Sequence, residues 1–438
     1  MARTSAIGRR ERSILTALLI VLVLGLILFA VAARIATHRS EVVRSRWERS
    51  FGSREAILER YPAREPNDAA RTLERLAAAI GIDLAPRAIE GRERPSGESV
   101  AGHRRIKASL GRYLGDQVQH AQRQIDSPPA EVSGFLNQHA AAIAAIRRQL
   151  IKNDPPVWER ATEIPHAAPI PNLLGHLDLQ RLLLADALAC GERGDDRCEL
   201  DDLDASWQLN RALRDDPILI TQLIAISVTR LQIGTLRQLG QVPANWEKRL
   251  AEHDFRQSFL SSLRFEAWAW TQVDHAAMVQ PALGQRIVYS LGRPYVRYCL
   301  ADASEDYRQR LDNLARLKTL CDVDLAALDA DLHVPVPRWN LLGDLVVPNL
   351  SDTVDRLRRL ELDIELTVRI LEIEAGRRAN SGVWPGVVPG IERSTACPDD
   401  RWIYEVGPGG EMSIGFSREI SWPGQTGMIL PTRFAAER

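Results

Sequence analysis

The chain has 438 residues, 45% of them hydrophobic and 26% charged, the proportions of a folded protein, which excludes wholesale disorder. Its 56 basic residues nearly cancel its 57 acidic ones, so the basic footprint of a nucleic-acid-binding protein is absent and no nucleic-acid partner is expected. The length allows a large core or two to three domains. Lysine occurs only at Lys107, Lys152, Lys248 and Lys318, and the arginine-rich remainder fits a GC-rich bacterial genome.

Residues 14–33 read ILTALLIVLVLGLILFAVAA, without a charge. At ~1.5 Å per residue such a helix is roughly 30 Å long, the thickness of a bilayer's hydrocarbon core. A single transmembrane helix over residues 14–34 in a bacterial inner membrane is therefore expected, making the membrane itself a partner. Ala30-Val31-Ala32 also offers a small-x-small cleavage site, but the apolar run exceeds the roughly 7–15 residues of a signal-peptide core. Arg3, Arg9, Arg10 and Arg12 precede the run, and Arg34, Arg39, Arg44, Arg46 and Arg49 follow it, so charge alone does not orient it. A short N-terminus and a long trailing domain predict residues 1–13 in the cytoplasm and the bulk in the periplasm.

Residues 35–66 read as a juxtamembrane linker, helical at first and ending at Tyr61-Pro62-Ala63-Arg64-Glu65-Pro66. A helical extramembrane domain over 67–350 follows. Asn67 and Asp68 start a helix whose apolar positions Ala69, Ala70, Leu73, Leu76, Ala77 and Ile80 recur at helical spacing, and Gly81 stops it. Further helices are expected over 97–124 and 130–151, broken by Ser127-Pro128-Pro129. Residues 172–239 are almost continuously helical, punctuated at Gly191, Gly194 and Pro217. The apolar stretch 218–239 reads as a central core helix, because Thr221, Gln222, Thr229 and Arg230 interrupt it. Such a helix needs neighbours on most sides, which predicts a multi-helix bundle or stacked helical hairpins. Further helices follow over 246–279 and 305–320, then a proline loop at Pro335, Pro337 and Pro348. Residues 351–438 form a long helix with Val354, Leu357, Leu360, Ile364, Val368 and Leu371 on one face, then a β-rich tail. Residues 402–406 and 412–416 alternate around the turn Gly407-Pro408-Gly409-Gly410, which predicts a hairpin. The fold class expected is mainly α with a small antiparallel C-terminal tail.

Residues 185–217, with small residues on the first helix, a Gly-containing turn and Pro217 closing the second, resemble one tetratricopeptide-type hairpin. No second copy occurs in register. Residues 352–416, a long helix running into Gly382-Val383-Trp384-Pro385 and a hairpin, resemble the tail of pseudopilin-type proteins, without the pilin N-terminal signature.

The cysteines are Cys190, Cys198, Cys299, Cys321 and Cys397. In an oxidising compartment Cys190 and Cys198, flanking a turn, are the pair to expect, stapling two antiparallel helices. A bond between Cys299 and Cys321 is disfavoured, because an intervening helix would hold them roughly 24 Å apart. No CxxC spacing points to zinc, and neither a metal nor another cofactor is expected. The acids Glu192, Asp195, Asp196, Glu199, Asp201, Asp202 and Asp204 lack the order of a calcium loop and suit a helix N-terminus. Glu266, inside Phe265-Glu266-Ala267-Trp268-Ala269-Trp270, is a candidate general acid, since an apolar setting raises a carboxyl pKa. His253-Asp254, Asp274-His275 and His176 resemble the metal constellation of helical phosphohydrolases. No phosphate loop, G-x-S-x-G or H-E-x-x-H occurs. The expectation is an anchored scaffold or accessory subunit of an envelope complex, acting through protein–protein contacts. The alternatives are a cell-wall glycan hydrolase using Glu266 and a lipid or small-molecule binding module.

Overall fold

The computed structural model describes residues 9–86, 91–152, 154–160, 170–239, 245–272, 283–317, 339–341, 350–418 and 433–437, with positions 89, 319 and 321 between them. The chain is mainly helical, with a three-stranded antiparallel sheet near its C-terminus. It divides into two compact units, one of residues 1–57, 267–310 and 334–348, the other of 58–266, 311–333 and 349–438. The division is not the linear one expected: the C-terminal helix and sheet share a unit with the central helices.

In the first unit, helix α1 spans Arg9–Ser50. Its apolar stretch is exposed, from Ile14 to Val31 and Ile35, and none of it is buried among the described residues. Beyond that stretch one face of the same helix is buried at Ala36, Ser40, Val43 and Trp47, positions three to four residues apart. Residues 35–50, expected as the start of a linker, are thus packed helix, because this face meets a partner from 260 residues downstream. That partner is helix α12, Leu283–Arg316. The Trp47 indole donates to Ser304 Oγ (2.7 Å), whose hydroxyl donates to the Ala267 carbonyl (2.9 Å). Arg46 pairs with Glu305 at 2.6 Å, and Arg39 with Asp302 at 3.0 Å. Burial pushes the Glu305 carboxyl up, but Arg308 and Arg46 outweigh it and hold the group below the usual range. Tyr307 stacks edge-on against Trp270.

Helix α2, Arg54–Arg60, carries the chain from the first unit into the second, where α3 spans Asp68–Ala79. The Asn67 side chain accepts from the Ala70 amide (2.9 Å) and caps α3 as its sequence predicts. Helix α4 covers Gly97–Gln119, and the single helix expected over 130–151 is two, α5 (Ala130–Gln138) and α6 (Ala140–Lys152). Helices α7 (Leu173–Glu192), α8 (Asp196–Arg214) and α9 (Leu219–Gln238) form consecutive packed hairpins. The α7–α8 turn uses Gly194 at φ 72°, a left-handed position where a Cβ would be strained.

Helix α9 is long and apolar enough to cross a membrane, yet it is largely buried, against α4, α7, α8 and the long C-terminal helix. Its polar positions explain why. Thr229 and Gln232 join Ser206 and Asn210 of α8 in a hydrogen-bonded ladder wholly shielded from water. Ser206 Oγ also lies 2.6 Å from the Gln180 amide of α7. A ladder of this kind sets register among three helices, since a slip would strand buried polar groups. Gly234 lies where α4 crosses, and a Cβ there would overlap Val118.

Short α10 (Trp246–Ala251) leads into α11 (Phe255–Trp270), and α13 spans Leu350–Ala379. Strands β1 (Trp402–Val406), β2 (Met412–Phe416) and β3 (Arg433–Ala436) pair in that order. The hairpin register sets Trp402 opposite Phe416 and Val406 opposite Met412, so Glu411 joins the turn Gly407-Pro408-Gly409-Gly410 in the loop. Strand β3 was not anticipated. Leu362, Leu366, Ile370 and Ile373 of α13 pack with Trp384, Trp402, Met412, Ile414 and Phe434. The sheet is also stitched to the helical body: the Arg123 amide donates to the Ala435 carbonyl (3.0 Å) and the Ala435 amide to that of Ala121 (2.8 Å). The proline loop expected around Pro335, Pro337 and Pro348 lies outside the described residues.

A cleft on the long C-terminal helix

Helix α13 carries an apolar stripe that does not end where its burial ends. Val354, Leu357 and Leu360 are buried, but Ile364 and Val368, the next members, are only half-buried. They floor a cleft of about 470 Å³ with Glu361, Glu365 and Arg369 from the same face. The opposite wall is the α10–α11 corner, including His253, Asp254 and Arg256, and the rim is Thr319 with Thr395 and Ala396.

The walls are fixed. Glu365 accepts from Ser394 Oγ (2.7 Å) and from the amides of Thr395 (2.6 Å) and Ala396 (3.2 Å), so one carboxylate holds the rim loop. Next to it, Cys397 is bonded to Cys321, which pins the loop covalently to the chain 76 residues earlier. Thr319 Oγ1 donates to the Ala396 carbonyl, Arg256 donates to the Leu317 carbonyl, and Arg369 donates to that of Arg393. Asp254 Oδ1 accepts from the Gln257 amide (2.8 Å) at the start of α11.

Glu361 differs from these. Among the described residues it makes no hydrogen bond or ion pair, and burial pushes its carboxyl up to about 7, with Arg256 opposing and Asp254 adding to the shift. His253 is neutral at ordinary pH, its pKa lowered to about 4 by burial and then by Arg214, and its ring packs edge-on against Phe255. Arg214 is itself buried, its guanidinium 3.7 Å from the centre of the Trp207 ring. The cleft thus offers one carboxyl poised near neutrality in a rigid frame. Among the described residues the other lining carboxylates, Glu365 and Asp254, are already committed to backbone amides.

The residues singled out in the sequence are scattered. Glu266 is half-buried on α11, between buried Phe265 and Ala267. Burial pushes its carboxyl up to about 7 as the aromatic run predicts, but it does not line the α13 cleft. Cys190 and Cys198 are joined in a disulfide across the α7–α8 turn, while Cys299 is buried and unbridged within α12. The acidic cluster divides by role. Asp195 caps α8 by accepting from the Cys198 amide (3.1 Å), and Asp202 pairs with Arg147 at 2.6 Å. Burial raises Asp202 well above the carboxylate range and Asp186 adds to the shift, while Arg147 counteracts it. Glu199 is buried and pushed up to about 7.

Asp186, Cys190, Cys198 and Asp202 bring possible ligand atoms within 4.8 Å of one another. The sulfurs are spent on the disulfide, and Arg147 fills the space between the two carboxylates, bonding to both. This set therefore fits a staple and ion pair better than a metal. His176 is fully buried against Trp158, its pKa lowered to about 3 by burial, and Asp274-His275 lies outside the described residues. No family model, curated protein or solved structure matches this chain.

Sequence reasoning missed Glu361 because Leu360-Glu361-Leu362-Asp363 looks like an ordinary amphipathic helix with its acid toward solvent. Only the neighbouring α10–α11 corner buries it.

Proposed function

We propose that this chain is a membrane-anchored helical scaffold of the bacterial envelope, which engages a protein partner by receiving a lysine or arginine side chain at Glu361. One observation carries the reading: the half-buried Glu361 carboxyl, which makes no hydrogen bond or ion pair among the described residues, faces an open cleft whose other described acids, Glu365 and Asp254, are bound to backbone amides. Burying a carboxylate unpaired is costly, and an incoming cation removes that cost. The cleft volume of about 470 Å³ lies within the range of sites that accept a ligand group.

An inner-membrane anchor at residues 14–34 with a periplasmic bulk is part of the proposal. The uncovered apolar stretch of α1 supports the anchor, and the two disulfides are at home in an oxidising compartment.

Affinity purification from detergent-solubilised membranes tests the scaffold reading. A reproducible partner set retained by the wild type and lost by Glu361→Gln is expected; no partner at all would sink it. Removing one member of a buried charge pair costs about 2–5 kcal/mol, so the purified partner should bind Glu361→Gln at least ~30-fold more weakly. The pH dependence follows from the raised pKa. A cation binds the ionised form, so affinity rises with pH up to about 7 and then levels off. In Glu361→Gln that rise should vanish, and titration calorimetry across the range reads it directly.

A second reading, glycan hydrolysis with Glu266 as general acid, draws on that carboxyl's pKa of about 7. It predicts peptidoglycan cleavage by the wild type and none by Glu266→Gln. The same variant has a stability signature independent of activity. The folded pKa lies above the usual 4.5, so the wild type is most stable below that value and loses stability as pH rises through about 7. Glu266→Gln should flatten that decline in denaturation curves taken between pH 4 and 8. An unchanged slope would show that burial of Glu266 is not felt.

A further inference from the structure

Within the first unit, α1 and α12 run side by side in the same direction. Arg297 donates to Thr37 Oγ1 (3.2 Å), Arg39 pairs with Asp302, and Arg46 with Glu305, so residue numbers rise together along both helices. Thr37 lies four residues past the end of the uncharged run. Leu291 lies six residues before Arg297, about 9 Å further down the axis at ~1.5 Å per residue. With Pro294 standing between them, it is level with α1 residues between Val31 and Thr37, at the end of the apolar stretch.

At that level α12 does not bury its large side chains. Leu291 is 63% exposed and Tyr295 42%, and Trp339 (47%) and Leu341 (69%) join them. Tyr295, Trp339 and Leu341 form one ordered surface, with Leu291 one turn away on the same face of α12. The Tyr295 hydroxyl donates to the Trp339 carbonyl (2.6 Å) and accepts from the Leu341 amide (3.1 Å), while Trp339 stacks edge-on with Tyr298. Four large apolar side chains held together and presented outward are unusual unless something covers them. Among the described residues the charges flanking Tyr295 on α12 are basic, Arg293 and Arg297, and Arg34 on α1 is exposed.

We propose that the surface of Leu291, Tyr295, Trp339 and Leu341 sits in the interfacial layer of the phospholipid bilayer that the apolar half of α1 enters, beside anionic headgroups. The inference rests on the reading of residues 14–34 as a membrane span. Tryptophan and tyrosine favour the headgroup level because each has an apolar body and a polar edge, and leucine side chains reach just beneath it. Arginine beside them meets the negative surface potential of anionic lipid. The unit is then held at two points, the span and this surface, which fixes its tilt instead of leaving it to swing on a tether.

The test uses the full chain in phosphatidylcholine–phosphatidylglycerol vesicles, with Cys299→Ala to remove the one unbridged thiol among the described residues. Single cysteines at Leu341, Leu291, Val21 and Glu48 carry an environment-sensitive fluorophore, and lipids brominated at shallow acyl positions serve as quencher. Labels at Leu341 and Leu291 are expected to shift to the blue and to be quenched. The label at Glu48, roughly 22 Å along α1 from the end of the apolar run, stays unshifted and unquenched. Quenching at Val21 without quenching at Leu341 and Leu291 overturns the surface while leaving the span intact. No lipid signature at Val21 overturns the span and the surface together. Equal quenching at Glu48 and Leu341 also overturns the proposal, because the surface would then be no closer to lipid than the rest of the unit.

Discussion

Replacing Cys321 and Cys397 by alanine is expected to destabilise the second unit by about 4.5 kcal/mol, the chain entropy released when a bond separated by 76 residues is opened. The bond between Cys190 and Cys198 closes a separation of 8, and its removal should cost about 2.5 kcal/mol on the same reasoning. Denaturant titration of the two double variants beside the wild type measures the order directly. Equal losses would show that the loop-closure account does not govern here. The two variants should also separate in function. Cys397 adjoins the rim loop that Glu365 holds over the cleft, whereas the Cys190–Cys198 staple lies at the α7–α8 turn. Loss of partner binding in the first variant and its retention in the second is the expected pattern. Treatment of the wild type with a dithiol reductant should reproduce the first.

The Arg237→Met variant should be the most damaging single substitution in the second unit. Arg237, near the end of α9, is 2% exposed, and its guanidinium bonds to Asp363 and Thr367 of α13 and to the Val118 carbonyl of α4 (3.2 Å). Three helices meet at one charge. Methionine preserves the length and apolar volume of the side chain but removes the direct partner of the buried Asp363 carboxylate, leaving it only the field of Arg230, which costs about 3–5 kcal/mol. The double variant Arg237→Met, Asp363→Leu removes both charges and should recover most of that loss, because a buried ion pair is worth little against a well-packed apolar pair. Thermal unfolding of wild type, single and double variants forms a complete test. If the single variant loses less than about 1 kcal/mol, water reaches Asp363 and the site is not the dry junction described. Because α13 floors the cleft, Arg237→Met should also weaken partner binding even though it touches no ligand.

How far the sequence could be read is clearest at particular residues. Asn67 was legible as a cap and Gly81 as a stop, since capping chemistry is local and needs only a few neighbours. The hairpin at residues 402–416 was legible for the same reason: its alternation and turn lie within one short stretch. Helix α9 was read correctly as a core helix because Thr221, Gln222 and Thr229 would be costly in lipid. The break between α5 and α6 was not legible, as residues 130–151 carry no glycine or proline where the structure divides them.

The candidate site was hardly legible at all. Glu361 looked like a solvent-facing acid, and Glu266 drew attention because aromatic residues adjoin it in sequence. The structure raises both carboxyls by burial, but it puts only Glu361 in the α13 cleft. Nor could pairing of Cys321 with Cys397 be read, because a bond across 76 residues leaves no local pattern. Sequence by itself thus determined most of the helices, the C-terminal hairpin, the apolar stretch of α1 and the burial of α9, all of which follow from periodicity and local hydrogen bonding. Tertiary structure alone decided that α1 continues as packed helix against α12, that the C-terminal sheet joins the helical body through Ala121 and Arg123, and that the Cys321–Cys397 bond pins the rim loop of the cleft. Each of these depends on contacts between residues more than fifty positions apart, and a contact at that distance is fixed by the whole packed chain.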